Sequence, residues 1–276
     1  KEVIELEQNP ALAHLQQAAD GNQIDILNDD DFVSLGHGNG SQTWGVNDLP
    51  APDTVDWDML HNLPVALITG TNGKSTSVRL ATAIGEAAGL TAGSTSTDYV
   101  KLGDDVLDYG DYSGPGGARM LLRDKRLEIA FLEVARGGIL RRGLPLFQAR
   151  AALVTNVAAD HLGQYGVNTV GALAQAKFAV ARAVAIDGVL VLNADDTLVV
   201  ANGEAFDRTK CWFSLISDNI LITEARENGK PCCWFDGASI CYFDGVKVDL
   251  EMAVTDIPIA MNGSARFNIQ NAMGAI

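Results

Sequence analysis

From residue 64 onward, apolar runs and stretches of helical periodicity alternate along the chain. Residues 65–69 (Val-Ala-Leu-Ile-Thr) form a continuous apolar run, and residues 75–88 carry the spacing of a helix. Residues 90–95 read as a strand of small and β-branched residues, and 117–122 as the start of a helix. Residues 129–134 and 151–156 read as strands, 170–185 as a helix, and 188–193 as another strand. Strands apolar on both faces belong to a sheet covered on both sides. Repeated β-α-β units predict an α/β fold with a doubly wound, mostly parallel sheet, whose ligands sit at the carboxyl ends of the strands.

The flanks have a different texture. Residues 1–20 read as a helix with Ala11, Leu12, Leu15 and Ala18 on one stripe. Residues 21–63, rich in Gly, Asn, Asp and Pro, read as loop with strands at 24–27 and 31–35. This divides the chain into a short N-terminal segment, 1–62, and a larger domain, 63–276. After about residue 209 come short runs at 210–214, 220–225, 231–235, 239–243 and 246–250. The steps Asn228-Gly229, Asp236-Gly237 and Asp244-Gly245 separate them, which predicts a small antiparallel β subdomain of hairpins at about 209–260.

Composition narrows the classes. A chain of 276 residues, 47% apolar, has room for a substantial core. A net charge of −15 argues against a nucleic-acid or anionic-membrane surface. No apolar run reaches the roughly 18 residues of a membrane span, and no secretory signal opens the sequence. The four cysteines, Cys211, Cys232, Cys233 and Cys241, include no C-x-x-C pair. They read as reduced thiols of a cytoplasmic protein.

The densest chemistry lies between the first strand and first helix of the larger domain. Gly70-Thr71-Asn72-Gly73-Lys74-Ser75-Thr76 is a glycine-rich turn opening onto a helix. Such a turn aims backbone N–H groups at a phosphate, and the helix N-terminus adds partial positive charge. Lys74 is placed to reach the β- and γ-phosphates of a nucleoside triphosphate, and the Ser75 hydroxyl to bind Mg2+. The spacing departs from G-x-x-x-x-G-K-[ST]: that pattern puts its first glycine where Ile68 stands, and here the glycine is Gly70. Glu133 ends an apolar strand, the position of a further Mg2+ ligand; in isolation it would read as a solvated loop acid. Thr155-Asn156-Val157-Ala158-Ala159-Asp160-His161 follows another buried strand and brings Asn156 and His161 to the same sheet edge as Lys74. Lys177 interrupts an otherwise apolar helix, which alone reads as a snorkelling surface lysine.

Together these residues resemble the central, ATP-binding domain of the Mur ligase family. The similarity runs on through Leu192-Asn193-Ala194-Asp195-Asp196 to Arg266-Phe267-Asn268-Ile269-Gln270-Asn271 and covers roughly residues 63–276. Gly114-Pro115, Ala118-Arg119-Met120, Arg136-Gly137-Gly138-Ile139-Leu140-Arg141 and Asp256-Ile257-Pro258-Ile259 resemble one branch, the cyanophycin synthetases.

The resemblance implies an ATP- and Mg2+-dependent ligase. A substrate carboxylate takes the γ-phosphoryl group of ATP, and an amine displaces phosphate from the acyl phosphate to leave an amide. It assigns Gly70, Thr71, Asn72, Gly73, Lys74, Ser75, Thr76 and Asn156 to the nucleotide, with Asn268 and Asn271 flanking adenine. It assigns Ser75, Glu133, His161 and Lys177 to metal, the lysine being one that the family often carbamylates. Lys74, Glu133, His161 and Lys177 are then the catalytic set. The family's usual His before Asn268 is Phe267 here. Arg119, Arg136, Arg141 and Arg142 are candidates to grip an amino-acid or peptide carboxylate, because guanidinium forks match carboxylates. No β-α-β pattern precedes the phosphate loop, so a UDP-linked sugar is not the expected substrate. The sequence opens on Lys1 and ends on a helical stretch without a stop signal, which suggests a piece of a longer protein. The C-terminal domain of the family is expected to lie outside these residues, leaving nucleotide binding with weak or absent ligation.

Two other classes remain. A GTPase needs Asn-Lys-x-Asp, and Thr155-Asn156-Val157-Ala158 lacks the lysine and aspartate; a kinase needs lid arginines, for which only Arg141-Arg142 offer a match. A non-catalytic nucleotide-binding module predicts binding without turnover.

Overall fold

A computed structural model describes residues 9–160 and 162–276. The part of the expected first helix at 1–8 lies outside them, as does His161.

Helix α1 (Pro10–Asn22) starts where Asn9 caps it, its side chain accepting from Leu12 N with Pro10 in the first turn. It ends at Gln23, in the left-handed region at φ +59°. β1 (Ile26–Asn28), β2 (Phe32–Leu35) and β3 (Gln42–Gly45) form a three-stranded antiparallel sheet. The third strand falls where the sequence suggested only loop. Leu15, Ala19, Ile26, Val33, Leu35, Val55 and Leu60 give this segment a core of its own.

One arginine of the larger domain fastens the segment to it. Arg123 donates to the Asp29 carboxylate at 2.6 Å, the Ser34 hydroxyl at 2.7 Å and the Phe32 carbonyl at 3.2 Å, and lies over the Phe32 ring. Arg123→Ala is expected to cost about 1–3 kcal/mol, because it removes at once the charged donor to Asp29 and the hydrogen bonds to Ser34 and Phe32. Faster hydrogen exchange across residues 26–45, with the sheet below unchanged, is the measurement; unchanged exchange in that segment would refute it.

The larger domain is an 11-stranded sheet in the order β14-β13-β12-β11-β10-β9-β4-β8-β5-β6-β7. Its strands are β4 (Val65–Thr69), β5 (Ala92–Thr95), β6 (Tyr99–Leu102), β7 (Asp105–Tyr109), β8 (Ile129–Glu133), β9 (Ala149–Val154), β10 (Val184–Asn193), β11 (Thr209–Ser214), β12 (Cys232–Phe235), β13 (Ser239–Phe243) and β14 (Val248–Ala253). The run from β12 through β5 is parallel, and an antiparallel hairpin continues each edge. The helices are α2 (Lys74–Ala87), α3 (Pro115–Leu122), α4 (Arg136–Arg142), α5 (Val170–Lys177), α6 (Ala179–Arg182), α7 (Thr197–Gly203), α8 (Ile220–Glu227) and α9 (Arg266–Ala275).

Alternate residues of the central strands feed two cores, as a sheet covered on both faces requires. Leu67, Leu132, Leu190 and Leu192 pack with α3 and α5–α8, while Ile68, Leu153 and Phe213 pack with α2 and α9. The α/β architecture with a large, mostly parallel sheet and a small antiparallel one is as expected, but the small sheet is β1–β3. Residues 209–253 do not stand apart: β11 and β12 join the parallel run, and β13 and β14 extend it.

Two further expectations need correction. Residues 220–225 are helix, not strand. Asn219 caps α8 by accepting from Leu221 N, and Ile222 and Ala225 bury one face; Gly229, at φ +61°, ends this helix rather than a hairpin. The helix expected over 170–185 breaks at Phe178 and stops at Arg182, because residues from Val184 onward pair with β9. No helix among the described residues is long and apolar enough to cross a membrane. All four cysteines are buried and unbridged in β11–β13, and burial pushes the Cys211 thiol up to about 12.

Candidate nucleotide site

β4 delivers the phosphate loop to the carboxyl edge of the sheet, where α2 begins at Lys74. Gly73 has φ +86°, and a Cβ there would lie 2.1 Å from Asn271 Oδ1. A Cβ on Gly70 would lie 1.9 Å from Thr155 Oγ1. Both positions therefore require glycine, one for α9 and one for the end of β9 to approach the loop.

The turn after β9 holds the loop from one side. Thr71 N donates to Asn156 O at 2.9 Å, and Asn72 N to Asn156 Oδ1 at 3.0 Å. In return, Asn156 Nδ2 donates to Asn72 O at 3.0 Å and Thr155 Oγ1 to the same oxygen at 2.6 Å. From the other side, Ser77 Oγ donates to Asn271 O at 3.3 Å. The loop is thus shaped by the protein itself, and the amides at the start of α2 lack intrahelical partners. Lys74 folds over it, Nζ donating to Thr71 O at 3.1 Å. Ser75 and Thr76 continue the first turn of α2, half-buried.

Two buried charges flank the loop. Glu133, at the end of β8, is 2% exposed, and neither carboxylate oxygen has a hydrogen-bond partner among the described residues. Burial raises its pKa, while the Ser75 hydroxyl and the Lys74 ammonium pull the other way. Orphaned carboxylate oxygens beside a serine hydroxyl are the donor set a hard dication takes. Among the described residues no cage of three acidic, His or Cys side chains forms. Thr95 ends the neighbouring strand β5 with a buried hydroxyl that has no hydrogen-bond partner among the described residues; no motif or spacing signals it.

Lys177 is 4% exposed and donates from Nζ to Gly70 O at 2.6 Å. It is therefore no snorkelling surface lysine. Burial first, then the Lys74 charge, lowers its pKa to about 8, with Asp160 opposing and Arg136 adding to the fall. Because the folded pKa lies below the unfolded value, the unfolded chain binds more protons between about pH 8 and 10.5. Stability from this group therefore rises with pH across that window. Comparing thermal unfolding of wild type and Lys177→Met in CO2-free buffer, the wild type is expected to gain on the variant by up to about 3 kcal/mol over that range. A difference that stays flat would refute the burial argument.

The four arginines separate. Arg136, 9% exposed, joins the cluster around Lys177 and donates to Gln164 Oε1 at 3.0 Å. Arg141 and Arg142 line a neighbouring cleft of about 230 Å3 with Ser113, Gly114 and Gly138; the Arg141 guanidinium also lies 5.7 Å from the Tyr165 ring centre. Arg119 does not join them: its Nε faces Asp29 of the N-terminal segment at 3.7 Å.

On the far flank, Asn271 Nδ2 donates to Asn268 Oδ1 at 3.4 Å and Asn268 Nδ2 to Ile259 O at 2.7 Å. Phe267, one turn before Asn271, is 67% exposed. Beside the loop, a cavity of about 400 Å3 opens between Asn156, Asn193, Asp195, Asp196 and Gln270. Gln270 lines it although its residue type and position carried no expectation in the sequence.

The Mur ligase middle domain matches residues 68–276. Cyanophycin synthetase of Crocosphaera subtropica is 42% identical over 77% of this chain and 24% of its own length. UDP-N-acetylmuramoylalanine–D-glutamate ligase of Methylococcus capsulatus is 29% identical over 77% of this chain and 38% of its own. A structure of UDP-N-acetylmuramoyl-L-alanyl-D-glutamate–2,6-diaminopimelate ligase superposes with a TM-score of 0.54 at 18% identity, over 77% of this chain and 42% of that one, which supports the fold. The chain spans about a quarter of the length of the cyanophycin synthetases it matches. With a family match that takes in the whole phosphate loop, Glu133, Lys177 and α9, the chain belongs to the Mur ligase middle-domain family.

Proposed function

We propose that this chain is the ATP-binding part of an amide ligase that activates a carboxylate as an acyl phosphate for attack by an amino-acid amine. The observation that carries the reading is the buried Glu133 carboxylate, without a hydrogen-bond partner among the described residues, beside a pre-shaped phosphate loop. In this reading the loop amides and Lys74 bind the triphosphate, and Lys74 follows the charge that builds on the transferred phosphoryl oxygens. Ser75 and Glu133 hold Mg2+, together with His161 and a carbamylated Lys177. When bound, the metal neutralises phosphate charge. A lysine near pKa 8 is in part a free amine at neutral pH, the form that adds CO2. Asn156 orients the loop, and Asn268 and Asn271 flank the base. Arg136, Arg141 and Arg142 receive the acidic amino-acid or peptide substrate; Arg119 serves it only through a different arrangement of Asp29. ATP dependence places the reaction in the cytoplasm, without nucleic acid or membrane as partner.

The test is phosphate release from ATP and Mg2+ by the full-length protein, with a panel of acidic peptides and amino acids. Release that requires both a carboxylate and an amine, with the matching amide in the mass spectrum, is the expected result. Tight ATP binding with no substrate-dependent release would instead identify a binding module, and a phosphorylated product without amide would identify a kinase.

A further inference from the structure

We propose that Gln270 reads the base, selecting a purine with an amino group at C6 over one with an oxygen there. The inference rests on the nucleotide reading above. The cavity beside the phosphate loop begins at Asn156, which also holds Asn72. Gln270, on its wall, lies on α9 between Asn268 and Asn271, so a base attached to a triphosphate on the loop and flanked by those two has this cavity within reach.

The walls are polar, yet the protein already uses nearly all of them. Both amide atoms of Asn156 are engaged by Asn72. Asn193 donates to Thr155 O and accepts from Asp195 N. Asp196 accepts from Val157 N, Leu198 N and Val199 N. Asp195 accepts from the Ser214 hydroxyl and Leu215 N.

Gln270 differs. Its Nε2 lies 3.1 Å from Asp195 Oδ2 and 3.5 Å from Asn193 Oδ1. Both neighbours are acceptors there, so the amide nitrogen must face them. That fixes the flip of the amide and leaves Oε1 as an acceptor with no partner among the described residues. A fixed acceptor welcomes the N–H of a 6-amino group. It repels a 6-oxo group, whose oxygen it would meet lone pair to lone pair. Asp195 is thus the positioning residue, and Gln270 sets specificity. A side chain free to rotate its amide would not discriminate.

The experiment is calorimetric titration of this chain with ATP and with ITP, in Mg2+ and without acceptor. ITP carries the oxygen at C6 and is otherwise close to ATP. The wild type is expected to bind ITP about tenfold or more weakly, the size of one directional hydrogen bond lost and one repulsion gained. Gln270→Met, similar in shape but without the amide, is expected to lower ATP affinity about tenfold and to leave ITP within about twofold, with an unchanged unfolding temperature. Equal binding of ATP and ITP by the wild type would overturn the inference. So would a Gln270→Met variant that loses both nucleotides alike or neither. If neither nucleotide binds, or if Lys74→Ala binds ATP as well as the wild type, the nucleotide reading itself fails and the inference falls with it.

Discussion

Lys74→Ala is expected to lower substrate-dependent phosphate release from ATP by at least about a thousandfold. Lys74 stands at the first position of α2 and reaches back over its own loop to Thr71 O. Its ammonium is held by one neutral carbonyl, so it is free to move onto a phosphate oxygen. Interactions that strengthen as charge shifts onto the transferred group raise the rate, whereas those equal in ground and transition states do not. The loop amides, which the substitution leaves in place, still bind the triphosphate. ATP affinity should therefore fall much less, by about tenfold. The check is steady-state phosphate release alongside calorimetry on the full-length protein. A variant within tenfold of wild-type turnover would remove Lys74 from the chemistry.

Glu133→Gln is expected to move stability and activity in opposite directions. The carboxylate is 2% exposed, has no hydrogen-bond partner among the described residues, and burial already raises its pKa. A buried carboxylate without a hydrogen bond weighs against the fold, and the nearby Lys74 ammonium offsets only part of that. The amide has nearly the same shape and no charge, so the unfolding temperature without nucleotide should rise, by about 1–2 kcal/mol of stability. The same change removes the anionic oxygen that a dication needs. Mg2+-dependent turnover should drop by about a hundredfold or more. Thermal unfolding and phosphate release on one preparation decide it. A variant both less stable and equally active would show that Glu133 is an ordinary structural acid.

Much of this was legible in the sequence because it is local. The β4–loop–α2 unit is continuous in the chain, and its helix begins one residue before the expected start. β8 and β9 were legible because strands buried on both faces are apolar throughout. Segments whose state depends on distant neighbours were not. Ile220-Leu221-Ile222-Thr223 is a β-branched run by composition, yet the Asn219 cap and the burial of Ile222 and Ala225 against the sheet make it helix. Strands β7 and β3 carry exposed polar residues and so lack the apolar signal, and β6 is only 4 residues long. In the site, Gly70, Gly73 and Lys74 follow from a motif. Gln270 acquires its meaning only from Asp195, 75 residues away, and Arg119 loses its expected one to Asp29 of the N-terminal segment. Neither pairing leaves a mark in a one-dimensional pattern.

The central place of β4 has a consequence for synthesis. Its neighbours are β8 and β9, so Val65 waits for Ala130 and Ala66 for Ala151. At about 5–20 residues per second on the ribosome, an apolar strand spends several seconds with both edges open. Such an edge is a template for pairing with another chain. Misassembly during translation should therefore concentrate at the strand that carries the phosphate loop, and slowing elongation between residues 70 and 150 should lengthen that exposure and lower the yield of folded protein.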